Sequence, residues 1–581
     1  MQRAVISEKF ATLPDLLILL LVGTAIYGLV AMGSEWSAAF NPVTAIDLAP
    51  SSLPYYAILS GARGLIAYLF SLSFTLVVGY TAAKSERAEK IIIPLLDILQ
   101  SIPVLGFLPG LVFGLIALFP KTNLGLELAA IIMIFTSQVW NMTFSYYSSL
   151  KSIPPEFMEA STVMGLNWKQ RLIKLELPFS AVNLAWNSLM SMAGGWFFLG
   201  VCEAFRLGDT EFRLPGLGAY MAVAAETGNH RALVLGIITM VLLIVTMDAV
   251  IWRPILAWVQ RFRIEDVPGV APAEPLMKIV IRESRIMRWL KLGFRRYRFR
   301  QRMELPLTPQ QVFDGDLEHP LLKAPSARQQ SAIRILGPLL YGLTTAMIFW
   351  GSYKLLLVLM LTHTQTWMLL IRDTLWTFLR VLFALAISTV WAVPVGIWIG
   401  TSPRRIRFAQ PIIQVMASFP VTMLYVPTLG LFFWLGIGFD ISSMLLMTFG
   451  IQWYILFNVL AGALRIPNEL KYALELMEVS VKDKWLKLYL PSIFPSLVTG
   501  WVTAAGGAWN TSIVAEYVGN YHHTVLKTSG IGARISQAAE TRDFQLLAAS
   551  ISILVFVVVI FNRAVWSKVY HLAQTRFRMD A

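Results

Sequence analysis

Twelve stretches of this chain are long and apolar enough to leave few soluble folds open to it. In the first part they run from about Leu13 to Met32, Gly64 to Ala83, Ile102 to Phe119, Leu126 to Tyr147, Ser180 to Val201 and Ala232 to Ile251. In the second they run from about Ile335 to Leu361, Leu375 to Ile399, Phe419 to Ile437, Met444 to Leu464, Ser492 to Val514 and Leu546 to Phe561. A helix needs about 20 such residues to cross a bilayer core. Composition agrees: of 581 residues 56% are hydrophobic and only 14% charged, with a mean hydropathy of +0.63. A soluble chain carries about a quarter charged residues. The expected fold is an all-α polytopic membrane protein.

Charge then orients the runs. Arg3 and Lys9 precede the first run, so a signal peptide has to be weighed. The run is longer than a signal core and no small-residue cleavage site follows, so it is expected to be a retained span. With the N-terminus inside, Lys84 to Lys90 and Ile153 to Pro178 fall in the cytoplasm. Gly33 to Ser60, with Glu35, Asp47 and no Lys or Arg, falls outside. Cations gathered in inner loops account for the formal net charge of +14. The single Cys202 excludes an internal disulfide framework, and the six His residues show no metal-ligand spacing.

The second part repeats the first. Pro178, Trp196, Glu203, the Gly216-Leu217-Gly218 run and Glu226 correspond to Pro491, Trp509, Glu516, Gly530-Ile531-Gly532 and Glu540, at an offset near 313 residues throughout. Six spans per unit return the chain to the same side, so the duplication is parallel. Expected domains are a membrane unit over 1–260, a linker over 261–333 and a second membrane unit over 334–581. The linker carries ten cations between Lys278 and Arg302 against one acid, Glu283, with Met287, Leu290 and Phe294 on one helical face. Such a basic amphipathic stretch suits an anionic lipid surface. No nucleic-acid module accompanies the charge.

The most structured polar interruption is Ile153–Pro178. Pro154 and Pro155 suit the first turn of a helix, Glu156 and Glu159 suit its positive end, and Gly165 permits a sharp turn. Basic Lys169, Arg171 and Lys174 follow, and Leu177-Pro178 ends the stretch. It reads as a short helix, a glycine turn and a second short helix, which an ordinary amphipathic loop also fits.

Glu159-Ala160-Ser161, Gly165 and Leu177-Pro178, set between two spans, resemble the EAA motif of the inner-membrane permeases of binding-protein-dependent ABC importers. Ser161 replaces the motif's second Ala. The Pro-punctuated third spans, from Ser101-Ile102-Pro103 to Pro109 and from Ser418-Phe419-Pro420 to Pro427, resemble the nitrate/sulfonate/taurine branch. So does the Trp, Ala-Glu and Gly-x-Gly pattern after each fifth span. The resemblance covers both six-span units and omits the linker. It implies a duplicated anion permease of the type I (MetI-like) importer fold, for nitrate, sulfonate, taurine or bicarbonate, in a bacterial inner membrane with both termini cytoplasmic. It also implies partners: two ATPase subunits and a periplasmic or lipid-anchored binding protein that carries most of the specificity. The coupling residues it implies are Glu156, Glu159, Ala160, Gly165, Leu177 and Pro178. In the second loop, Ile466–Pro491, they are Glu469, Ala473, Glu478, Leu490 and Pro491. There Tyr472 replaces Glu159 and Glu478 replaces Gly165. A non-glycine at that turn disfavours left-handed angles, so the second loop is expected to turn differently and to couple less strongly.

No GxxxxGK[ST] phosphate loop occurs, so no ATP site of the usual kind and no cofactor is expected in this chain. Polar residues within the runs are path candidates, because they are costly in lipid: Gln138, Asn141, Asn183 and Asn187, then Gln452, Asn458 and Asn510. Each can equally clamp helices together. With no Lys or Arg expected at mid-span, an anion would pass among dipoles and amides. Two other classes compete: an ion-coupled secondary transporter with two parallel six-helix repeats, and a membrane scaffold acting through its linker.

Overall fold

The computed structural model describes residues 13–101, 103–207, 210–262, 284, 342, 346, 349–464, 466–521 and 524–576. Arg3, Lys9 and the basic stretch Lys278–Arg302, Ser284 apart, lie outside the described residues. Described residues fall into two compact units, one from Met1–Val22 and Leu276–His363 and one from Gly23–Pro275 and Thr364–Ala581. In the first, Ser284 Oγ donates to Asp15 Oδ1 at 2.6 Å.

The larger unit holds both repeats. After α1 (Leu13–Ser37), which crosses from the smaller unit, the first repeat comprises α2 (Leu53–Phe74), α3 (Glu86–Ser101), α4 (Leu108–Leu118), α5 (Leu124–Lys151), the short α6 (Pro155–Val163), α7 (Leu177–Cys202), α8 (Leu217–Glu226) and α9 (His230–Met247). The second comprises α10 (Thr364–Gly400), α11 (Pro403–Ser418), α12 (Tyr425–Trp434), α13 (Phe439–Leu464), the short α14 (Asn468–Leu476), α15 (Leu490–Ala515), α16 (Ile531–Glu540) and α17 (Phe544–Phe561). A small antiparallel hairpin follows each fifth span: β1 (Ala204–Leu207) with β2 (Thr210–Arg213), and β3 (Tyr517–Tyr521) with β4 (Thr524–Lys527). These two small hairpins sit within the expected all-α fold.

Among the described residues eight helices are long and apolar enough to cross a membrane. A ninth is the broken pair Ile412–Ser418 and Val421–Trp434, bent by 80°. Pro103 and Pro420 take extended backbone angles, which is why both third spans break and restart there. Two further expected spans are present in weaker form. Val104–Leu118 is short, and α7 is long but carries Asn183, Asn187 and three serines.

Within each repeat the fourth span packs on the fifth, α5 on α7 and α13 on α15. The repeats interlock through their breaks. A Cβ on Gly200 of α7 would lie 2.9 Å from Met423 Cε, in the second break. A Cβ on Gly106, in the first break, would lie 3.3 Å from Ile551 Cγ1 on α17 and 4.0 Å from Ile513 Cδ1 on α15. By the repeat, Ile513 corresponds to Gly200 and Met423 to Gly106. The first repeat therefore supplies the small residue at both contacts.

Candidate coupling loops and central cavity

The first loop is built as its residues suggest. Pro155 opens α6, and Glu156, Glu159 and Ala160 stand exposed on it. Gly165 has φ 64° and the Leu166 amide donates back to Ser161 at 3.0 Å, a glycine-terminated helix end. Asn167 then starts the next turn with a reciprocal capping box to Gln170. Leu177 and Pro178 do not end the helix. The chain enters α7 through a π-helical turn, Leu172–Glu176, which accommodates the amide that Pro178 lacks. Lys84, at the loop end of the second span, pairs with the buried Glu176. Nearby, Lys151 and Tyr147 hold the Glu89 carboxyl below the usual carboxylate range.

The second loop overturns the expectation of a different turn. Glu478 has φ 50°, and the Val479 amide donates to Leu474 at 3.2 Å, the counterpart of the bond in the first loop. Ser480 caps the following turn where Asn167 does. A π-turn, Lys484–Tyr489, precedes Leu490 and Pro491 in the same way. Glu478 takes the left-handed angles that glycine would take without strain. Glu469 and Ala473 are exposed on α14. Both loops also present apolar tips at matched positions. Val163 and Met164 are 89% and 75% exposed, Leu476 and Met477 85% and 73%.

At the opposite end each repeat holds a buried charge cluster. Arg63 of α2 is fully buried and grips Glu127 through Nε and Nη2 at 2.8 and 2.7 Å. It also pairs with Glu203, which follows α7. Glu203 accepts from Ser60 at 2.7 Å and from the Gly218 amide at 2.6 Å, and Ser60 accepts from the Leu217 amide at 2.9 Å. A Cβ on Gly216 would fall 2.4 Å from the Glu203 carboxylate. The Gly-x-Gly pattern thus lets the loop backbone close over a buried acid. Arg380, Asp440, Glu516 and Thr377 repeat the arrangement: Arg380 donates to Glu516 at 3.0 Å, and the Gly532 amide at 2.9 Å. The expectation that the spans lack Arg is corrected by Arg63 and Arg380, which lie inside α2 and α10. Both are neutralised by carboxylates and offer a passing anion no open charge.

Between the repeats lies a cavity of about 170 Å³, lined by α5, α7, α13, α15 and the two breaks, with no charged side chain among the described residues of its wall. Of the path candidates, Asn141 and Asn510 line it. Asn510 Oδ1 accepts from the Val104 amide at 2.7 Å, so the second repeat caps the restarted helix of the first. The other candidates lie elsewhere. Asn183 and Asn187 donate to Ser149 and Ser145 at 3.1 and 2.9 Å and tie α7 to α5. Gln138 is buried beneath Gly195 and accepts from Ser71 at 3.3 Å. Asn458 donates to Tyr454 of its own helix at 2.8 Å, and Gln452 is half-buried outside the cavity wall.

Residues 75–251 and 392–574 each match the family described as binding-protein-dependent transport system inner membrane component. The chain belongs to that family. The permease is 26% identical over 189 residues to the taurine transport system permease protein of Escherichia coli (strain K12), an alignment covering 32% of this chain and 65% of that relative. It is 28% identical over 124 residues to the glycine betaine/proline betaine transport system permease protein of Salmonella typhimurium, covering 21% and 34%. With the nitrate import permease protein of Leptolyngbya laminosa the figures are 26% over 143 residues, 24% and 48%. The chain therefore spans less than two thirds of these relatives. The permease is a multi-pass membrane component whose family works with binding proteins and ATPases.

Sequence reasoning missed the two charge clusters and the exposed Leu476 and Met477, while it placed Val163 and Met164 on the apolar side of the first loop's helix. Aligning the repeats would have found the clusters, since Arg63 with Arg380 and Glu127 with Asp440 keep the register of the duplication.

Proposed function

We propose that this chain is the complete membrane path of an ATP-driven importer for a small anion of the nitrate, sulfonate, taurine or bicarbonate class. It would replace a permease dimer, with 1–260 and 334–581 as its two units and 261–333 as a cytoplasmic linker able to meet anionic lipids. Two ATPase subunits dock on the two loops, a binding protein delivers substrate at the outer face, and both termini are cytoplasmic. The chain supplies no ATP site. The observation that carries this reading is the pair of repeat-related loops, each a short helix, a left-handed turn and an exposed apolar tip. A single chain with two such loops offers two equivalent cradles for a partner's cleft. Docking would place the loop residues Glu156, Glu159, Ala160 and Gly165, and Glu469, Ala473 and Glu478, against the ATPases. Leu177, Pro178, Leu490 and Pro491 would carry the motion into α7 and α15.

Native mass measurement of the purified importer is expected to give one copy of this chain with two ATPase copies, and two copies of the chain would overturn the reading. Met164→Asp with Met477→Asp is expected to lose both ATPase subunits while the chain stays folded. Retention of both would refute the docking surface. A cysteine at Arg295 is expected to resist labelling from outside intact cells.

A further inference from the structure

The two loops turn alike, but only the first is tied by charge to a second span. Glu176 closes the π-helical turn through which the chain enters α7, and its side chain is fully buried. Lys84 is the last residue of the second span, Pro50–Lys84. Its ammonium pairs with Glu176 Oε1 and lies 5.7 Å from the centre of the Tyr80 ring. Among the described residues it is the one cation paired with that carboxylate. An apolar cluster adjoins the pair and reaches the loop. Tyr146 and Leu150 of α5 are packed against by Tyr80 and Ala83 of the second span, Leu177 of α7 and Met158 of α6. Just before this junction the second span takes a π-turn, Thr75–Gly79, whereas α10 is α-helical from Thr364 to Gly400.

In the second repeat the corresponding side chains bond within their own segments. Thr401, in place of Lys84, donates to Ile397 at 2.9 Å. Tyr489, in place of Glu176, meets the ring of Trp485 in its own π-turn, with centroids 6.1 Å apart. A buried carboxylate is costly to leave without its cation, and a buried ion pair can fix the register of the elements it joins. The loop end of the second span and the entrance of α7 are therefore held to move together. We infer that the Lys84–Glu176 pair couples the first loop to two spans, so that displacement of α6 moves the second span along with α7, whereas the second loop drives α15 alone. Lys84 and Glu176 are positioning residues that act through the spans they join. The two loops dock alike and transmit unequally. The inference rests on the importer reading, in which the ATPase subunits move α6 and α14.

The test is hydrogen exchange, read by mass spectrometry, on the full chain with its ATPase subunits in lipid nanodiscs. It compares the nucleotide-free complex with one trapped by MgATP and vanadate. Trapping is expected to change exchange in both loops, at 153–165 and 466–478, and at 75–84 but not at 392–401. Lys84→Met with Glu176→Met replaces the pair by uncharged side chains that still fill the junction, a change that buried ion pairs often tolerate. This variant is expected to keep its folded yield, its ATPase subunits and the response of both loops, and to lose the response at 75–84. Lys84→Arg keeps a cation there and is expected to retain that response. A response at 75–84 that survives the double replacement, or an equal response at 392–401 in the native chain, would overturn the inference. The second comparison uses the native chain, so it decides even where the double replacement does not fold. ATPase retention separates the two readings. If the native chain holds the subunits and its loops respond while 75–84 does not, the role of the pair fails and the importer stands; if the native chain does not hold them, the importer reading fails and the inference with it.

Discussion

The two repeats share a backbone and differ in how they sustain it. At the turns of the two repeat-related loops and at the turns after α8 and α16 the chain takes left-handed angles: φ 64° and 66° at Gly165 and Gly228, φ 50° and 54° at Glu478 and Arg542. The first repeat uses glycine at both places and the second a charged residue. The charge clusters diverge in the same direction. Glu127 is fully buried against Arg63, whereas the Asp440 side chain is 76% exposed and only 3.5 Å from Arg380, with Thr528 bridging. At the loop end Lys84 holds Glu176, but Thr401 and Tyr489 stand at the corresponding positions of the second repeat. The first repeat is locally relaxed and ionically fastened. The second reaches the same geometry with left-handed non-glycine residues and a looser Arg–Asp contact, and adds an ion pair of its own, Arg534 Nε to the buried Asp373 at 2.7 Å, where the first repeat pairs Tyr56 with Tyr220. A non-glycine residue can thus stand at a turn that local preference opposes.

The sharpest way to break this comparison is at the clusters. Arg63→Ala leaves two buried carboxylates uncompensated, with an expected loss of about 3–5 kcal/mol. Arg380→Ala should lose less, roughly 1–3 kcal/mol, because Asp440 keeps its water. Thermal unfolding and folded yield in detergent measure both; equal losses would show that the exposed Asp440 is no real difference. Next comes the interlock. Gly200→Leu should cost about 1–3 kcal/mol by overpacking against Met423, and adding Met423→Ala should restore most of it. A double-mutant cycle without coupling would remove the contact from the comparison. The smallest effect concerns the turns. Gly165→Glu should cost about 1 kcal/mol and Glu478→Gly should gain about as much, since nothing crowds a Cβ at Gly165. Transport per ATP is expected to survive both. Opposite and equal shifts in unfolding temperature would confirm one shared turn.

What was legible in the sequence followed from local rules. Apolar length marked the spans, proline marked the breaks at Pro103 and Pro420, and Pro155 with Gly165 outlined the first loop. Non-local facts were hidden. Arg63 sits at the edge of an apolar run and looks like a flanking cation, because its partners Glu127 and Glu203 come from distant spans. Glu478 looks unfit for its turn, because glycine's preference for left-handed angles is a matter of roughly 1–2 kcal/mol and not a prohibition. Which amides face the cavity depends on how each helix is rotated. That rotation separates Asn141 and Asn510 from Asn183, Asn187 and Asn458, and a list of polar residues does not contain it.

The exchange of sizes at the interlock bears on how the two repeats can be inherited. Symmetric pairing of two first repeats would set Gly106 against Gly200 and leave a void; pairing of two second repeats would set Met423 against Ile513 and overfill it. Only the unlike pair fits. A single polypeptide keeps that pair together at fixed stoichiometry, so each repeat is released from having to match itself. Once glycine had been committed to both contacts of one repeat, a return to identical copies would need coordinated changes on both sides. The fusion therefore works as a one-way latch on the divergence of its halves.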